Sequence, residues 1–121
     1  MNFTALGALV GALSVMLGAF GAHALRDRLD PAMLATFETA VRYQFFHAIA
    51  LLFVGRSVHD APRPGANLAG VLFTIGIVLV SGSLYAYVGT GVRAWGAVTP
   101  FGGVAFIVGW LALARAHWTA K

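Results

Sequence analysis

Cysteine is absent from this sequence of 121 residues. Disulfides, thiolate metal sites and a cysteine nucleophile are therefore excluded, and redox chemistry would need a bound cofactor. Charge is almost as scarce, at 10% of residues, and only four of these are acidic. Those four carboxylates fall in loops or near the ends of apolar runs. No nucleophile, base and orienting group occur at a spacing that supports hydrolysis or phosphoryl transfer. The chain is accordingly expected to be non-enzymatic.

What is abundant is apolar surface. Hydrophobic residues make up 60% of the chain and the mean hydropathy is +0.83. A soluble globule of this size could not be coated with so few polar groups, so the composition indicates an integral membrane protein. The net charge of +4 does not point to nucleic acid, because the eight basic residues are scattered. Most sit where an apolar run ends, as interfacial anchors do.

Four spans are expected, at about 3–25, 31–56, 68–88 and 94–115, folded as an all-α antiparallel four-transmembrane-helix bundle in one domain over residues 1–121. The first run lacks a basic segment before Phe3 and exceeds the usual signal-peptide core, which favours a retained helix. Asp30 and Pro31 suit the N-cap and first position of the second helix. Its uncharged part, between Arg42 and Arg56, rises only about 21 Å. Both arginines can snorkel, which leaves residues 31–41 as an interfacial or protruding start with Glu38 and Arg42 paired at i, i+4. The stretch HDAPRPGAN at 59–67 reads as the longest polar loop, Gly89 to Arg93 as a tight turn, and Pro100 as a possible kink.

An even number of spans puts both termini on one face with Arg56, Arg63, Arg115 and Lys121, opposite Arg26, Arg28 and Arg93. The expected orientation has both termini cytoplasmic in a bacterial inner membrane. Basic residues alone do not separate the two faces.

Helical periodicity then assigns faces. Gly7, Gly11, Gly18 and Ala22, with Ser14 among them, form a small-residue seam for close helix packing. In the second helix Thr36, Ala40, Tyr43, His47, Ala50 and Val54 are expected to face the bundle, and Phe45, Phe46, Ile49, Leu52 and Phe53 the lipid. Gly70, Thr74, Ser81 and Tyr85 align in the third, and Thr99, Gly103, Phe106 and Trp110 in the fourth. Gly82, Gly102 and Gly103 read as close-packing sites. Trp95 and Trp118 suit an aromatic belt at opposite ends of one span.

Polar groups concentrate toward the side of the first loop, whereas the other half is dominated by Leu9, Leu13, Leu51 and Leu111. This predicts a polar pocket in one leaflet half rather than a pore, built from Tyr43, Gln44, His47, Ser81, Tyr85 and Thr99. His47 needs partners for its ring nitrogens in hydrocarbon, either a ligand or, as packing glue, Ser81, Tyr85 or Thr99. His23 reads as a boundary residue that snorkels or caps the last carbonyls of its helix, and His59 and His117 as solvated. Haem or metal bound between His23 and His47 is a conceivable bis-histidine site, and the absence of further ligands argues against it. Glu38 and Arg42 have a second reading as headgroup contacts, with Arg42 on a lipid phosphate.

The motifs GAFGAHAL (18–25), ETAVRYQFFHAIALL (38–52), SGSLY (81–85), TPFGG (99–103) and GW (109–110), in this order, make the chain resemble domain-of-unknown-function family 423, small bacterial membrane proteins. The resemblance covers essentially the whole chain. It implies a four-span inner-membrane protein and no established activity, substrate or cofactor. Two functional readings follow from the residues. One is a binding or carrier protein for a small polar ligand, lipid headgroup or ion. The other is a structural or assembly partner of another membrane protein or a second copy, docking through the helix start at Thr36 to Arg42, with the polar groups serving only helix packing.

Overall fold

The computed structural model describes residues 1–118 and contains four long helices; Lys121, counted above among the basic residues, lies outside the described residues. Helix α1 is Phe3–Leu25, α2 is Pro31–Asp60, α3 is Pro64–Thr90 and α4 is Thr99–Trp118. Asn2 starts α1 by accepting the Ala5 N–H at 3.0 Å. Asp30 starts α2 by accepting the Met33 N–H at 2.8 Å, with Pro31 behind it as expected. These side chains satisfy amides that have no partner within the helix.

Two boundaries differ from the sequence reading. The stretch 59–67 is no long loop, because Pro64 takes the first helical position of α3 and leaves only residues 61–63 between helices. Proline lacks the N–H that would be unpaired there anyway. Between α3 and α4, Gly91 adopts φ 71° and its N–H bonds to Tyr87 O at 2.7 Å, ending α3. A 3-10 turn over Arg93–Ala97 follows, and Pro100 lies in the first turn of α4, where it opens the helix instead of kinking it.

Helix α1, helix α3 and the stretch Arg93–Trp118 are each long and apolar enough to cross a membrane. Helix α2 has 30 residues, and carries Glu38, Arg42, Arg56 and Asp60. It runs antiparallel along α1, from Phe37 beside Gly21 to Gly55 beside Thr4. Helices α1 and α2 form one tightly packed hairpin, α3 and α4 another, and α2 joins them by packing on α3. The core holds Phe3, Leu51, Val54, Phe73, Val80 and Phe106. The outside is apolar: Leu9 is 71% exposed, Phe101 71% and Leu111 65%, surface that water would penalise and lipid accepts.

Without a hydrophobic force between helices in lipid, close packing and interhelical hydrogen bonds must hold such a bundle. At Gly7 a Cβ would lie 2.7 Å from Ala48 O, so only glycine permits this approach of α1 to α2. Gly11 and Gly18 continue the seam at ordinary contact with Ala48 and Val41, and Ser14 is buried within it. The expected end of the seam is corrected. Ala22 is exposed, and Gly21 meets the Phe37 ring instead. Alternating steps of four and three residues (7, 11, 14, 18, 21) hold one line along a helix, whereas another step of four drifts off it. Gly102 packs against Val80, while Gly82 and Gly103 have open space and are not packing sites.

The start of α2 is exposed at Pro31, Ala32 and Ala35 and packs into the bundle from Phe37 on. Phe37 and Ala40 are buried, and the Phe37 ring lies 5.4 Å from that of Tyr85. The apolar face 45, 46, 49, 52, 53 points outward as expected, but Tyr43 sits at its edge, 42% exposed.

Candidate functional site

Helix α2 is the hub of the buried polar contacts. The Gln44 amide donates to Val10 O on α1 at 3.3 Å, and its Oε1 accepts the Tyr85 hydroxyl of α3 at 2.7 Å. One side chain thus bridges three helices. Val10 O also accepts from Ser14 Oγ at 2.8 Å, so the small-residue seam and the bridge share an acceptor.

One turn on, His47 reaches α4. Its Nδ1 lies 2.7 Å from Tyr43 O, and Trp110 Nε1 lies 3.1 Å from its Nε2. A carbonyl only accepts and an indole N–H only donates, so both contacts fit the neutral ring protonated on Nδ1. The ring also stacks on Phe106, with centroids 3.5 Å apart and planes at 11°. Both nitrogens are engaged within the chain. His23 is exposed in a π-helical turn at Gly21–Leu25. No hydrogen bond joins it to His47 among the described residues, which include no cluster of three metal-binding side chains.

A second π turn, Ile77–Ser81, interrupts α3. Ser81 Oγ donates to Ala40 O at 2.7 Å, and two residues on Ser83 Oγ lies 2.6 Å from Thr99 Oγ1 at the start of α4. Because α3 is flanked by α2 and α4, serines on two different faces both become buried.

The six residues expected to line one polar pocket are therefore divided among separate contacts. Tyr43 and Thr99 border the same open, mostly apolar cleft of about 380 Å³, and Gln44, His47, Ser81 and Tyr85 are not in its lining. The reason is reciprocal pairing: among the described residues no buried side-chain nitrogen or oxygen lacks a partner. Trp110 and Ser83 complete the network. Trp110 was placed on the Thr99, Gly103, Phe106 face, and its indole N–H, which needs an acceptor in hydrocarbon, was the available signal. His117, expected to be solvated, is half-buried in α4, with Nε2 2.9 Å from Ser57 Oγ and Nδ1 3.1 Å from Leu113 O.

Another arrangement lies on the outer side of the α1–α2 hairpin. A groove of about 260 Å³ runs between the helices, with Ser14, Gly18 and Gly21 on its α1 side and Phe37, Val41, Phe45 and Phe46 on its α2 side. Glu38 and Arg42 are its charged residues, and both are exposed. The expected ion pair between them is not formed: among the described residues the one ion pair is Arg56–Asp60, at 3.0 Å. An exposed i, i+4 pair is worth only a few tenths of a kcal/mol, about 0.3–0.5, so such a pair can form, as Arg56–Asp60 does, or stay apart, as Glu38 and Arg42 do, at little cost. A larger cleft, about 700 Å³, lies at the far end between α3 and α4 beside Arg63 and Arg115.

A family model described as "Protein of unknown function (DUF423)" matches residues 17–103. The chain belongs to the DUF423 family. The match takes in Gln44, His47, Tyr85 and the groove residues from Gly18 to Phe46, but begins after Val10, Ser14 and Val15 and ends before Trp110. Among its relatives, a UPF0382 membrane protein of Staphylococcus epidermidis is 46% identical over 111 residues, covering 92% of this chain and 90% of that one. A UPF0382 membrane protein of Staphylococcus saprophyticus is 45% identical, covering 92% of both chains. The UPF0382 membrane protein YwdK of Bacillus subtilis is 43% identical over 110 residues, 90% of this chain and 89% of that one. No solved structure matches the chain. The resemblance drawn from the motifs is thereby borne out: this DUF423 chain is a bacterial membrane protein with a bilayer around it.

Proposed function

We propose that this DUF423 protein is a non-catalytic lipid-binding protein of the bacterial membrane, with its ligand in the α1–α2 groove and its buried polar network serving helix packing. One observation carries the reading. Among the described residues the interior polar side chains are all partnered, whereas the two charged side chains on the groove stay exposed and apart. An apolar crevice rimmed by charge at the end of a membrane span suits a molecule with an acyl tail and a charged head.

Of the two functions read from the sequence, the binding protein is kept, with the lipid headgroup as the ligand class and the groove in place of the interior pocket. The packing role assigned to the polar groups in the other is kept as well.

Filling the groove tests this. At Gly18 a Cβ would make only ordinary contact with Val41 at 3.5 Å, so Gly18→Leu can occupy the groove without forcing the helices apart. Protein purified in mild detergent and weighed by native mass spectrometry is expected to retain lipid, and Gly18→Leu to lose it at unchanged melting temperature. Equal lipid on both proteins would overturn the proposal.

A further inference from the structure

We infer that the groove selects a phospholipid whose headgroup carries a primary ammonium beyond its phosphate, as phosphatidylethanolamine does. This rests on the lipid-binding reading and adds to it the order of charges along the groove.

Helix α2 enters the bundle at Pro31, so Glu38 lies nearer the first loop and Arg42 one turn deeper, about 6 Å along the axis. Deeper still the lining is apolar, with Phe45 and Val15. From the bilayer surface inward the groove therefore presents an acceptor anion, a donor cation and a hydrocarbon surface. A zwitterionic aminophospholipid presents, in the same order, a donor cation, a phosphate and an acyl chain. The guanidinium suits the phosphate because its planar fork donates two parallel hydrogen bonds to such oxyanions. The Glu38 carboxylate accepts N–H bonds from a primary ammonium, which a quaternary ammonium cannot donate.

Phe37 fixes the direction of the tail. Its ring fills the space over Gly21, where a Cβ would lie 2.7 Å from it, and so narrows the crevice toward the loop end. Gly18 meets only Val41, at 3.5 Å, and the roomier path for the chain runs inward toward Ser14 and Phe45. An anionic lipid without an amine would place its phosphate on Arg42 but leave Glu38 unmatched beside negative charge.

The experiment reconstitutes the whole protein in nanodiscs of equal parts phosphatidylethanolamine, phosphatidylcholine and phosphatidylglycerol, and identifies the lipid retained on the released protein by native mass spectrometry. The ethanolamine lipid should exceed each of the others on the order of tenfold, the scale of one charge-assisted hydrogen bond. Glu38→Gln should abolish that preference while lipid is still retained, and Arg42→Gln should reduce retention of all three. Arg115→Gln, at the far cleft, should change neither. Melting by circular dichroism checks that each variant is folded. Retained lipid without preference, or a preference for phosphatidylglycerol, would overturn the headgroup assignment and leave lipid binding standing. No retained lipid in the unaltered protein would overturn both.

Discussion

On the inner face of α2, Gln44 and His47 give their polar atoms to α1, α3 and α4, whereas on the outer face, nearer the start of the helix, Glu38 and Arg42 face a groove without pairing. The same helix treats polar groups in opposite ways because their surroundings differ. Inside, an unmatched donor has no water to turn to, so each is matched by geometry. At the rim an exposed charge is solvated already, and proximity in sequence is not enough to pair it. Polarity in a membrane helix therefore marks a ligand site only where the chain has not already provided the partner.

The comparison breaks most visibly if His47 is removed. His47→Ala deletes the ring stacked on Phe106 and takes from the Trp110 N–H its acceptor in hydrocarbon, a loss of about 3 kcal/mol. Denaturant unfolding in detergent should show this without any change in retained lipid. A stable His47→Ala protein that lost its lipid would move the site inward. Next, Gly7→Val forces a side chain against Ala48 O and should cost about 2 kcal/mol, the scale of overpacking. A chymotryptic or thermal assay of the α1–α2 hairpin would read it. Gln44→Leu keeps the volume but removes the bridge to Val10 and Tyr85, with an expected cost of about 1 kcal/mol, typical of an interhelical hydrogen bond in lipid. Thermal melting that placed Gln44→Leu below His47→Ala would reverse the order of the two contacts.

Much of the fold could be read from the residues alone. Gly7, Gly11, Ser14 and Gly18 reveal the α1 seam because small residues at helical spacing have few other uses in a span. Phe45, Phe46, Ile49 and Phe53 reveal the lipid face through the same periodicity. What periodicity cannot supply is which polar group answers which. A wheel gives each helix its faces but not the rotation of its neighbour, so His47 was matched to Ser81, Tyr85 or Thr99, while Trp110 meets it. Ser83 is hidden from a wheel that assigns one buried face to each helix, because α3 has neighbours on two. The π turns at 21–25 and 77–81 leave no mark in composition that separates them from ordinary helix. The groove charges were found but joined to each other, since sequence spacing shows that a pair can form and not that it does.

The smallest effect on stability gives the sharpest distinction between the two faces. Exchanging the groove charges, Glu38→Arg together with Arg42→Glu, keeps the net charge, the number of charges and their one-turn spacing. Both positions are exposed and neither is in an ion pair, so unfolding should stay within about 0.5 kcal/mol of the unaltered protein. If the rim charges act only as interfacial anchors, lipid retention should also be unchanged, because an anchor depends on charge near the headgroups and not on its order. A zwitterionic headgroup does depend on order: the exchanged protein places a cation toward the ammonium and an anion toward the phosphate. Native mass spectrometry from the three-lipid nanodiscs should then show the preference for phosphatidylethanolamine gone, at an unfolding free energy that has not moved. A preference that survives the exchange would assign Glu38 and Arg42 to anchoring and leave the apolar groove to bind tails without regard to their heads.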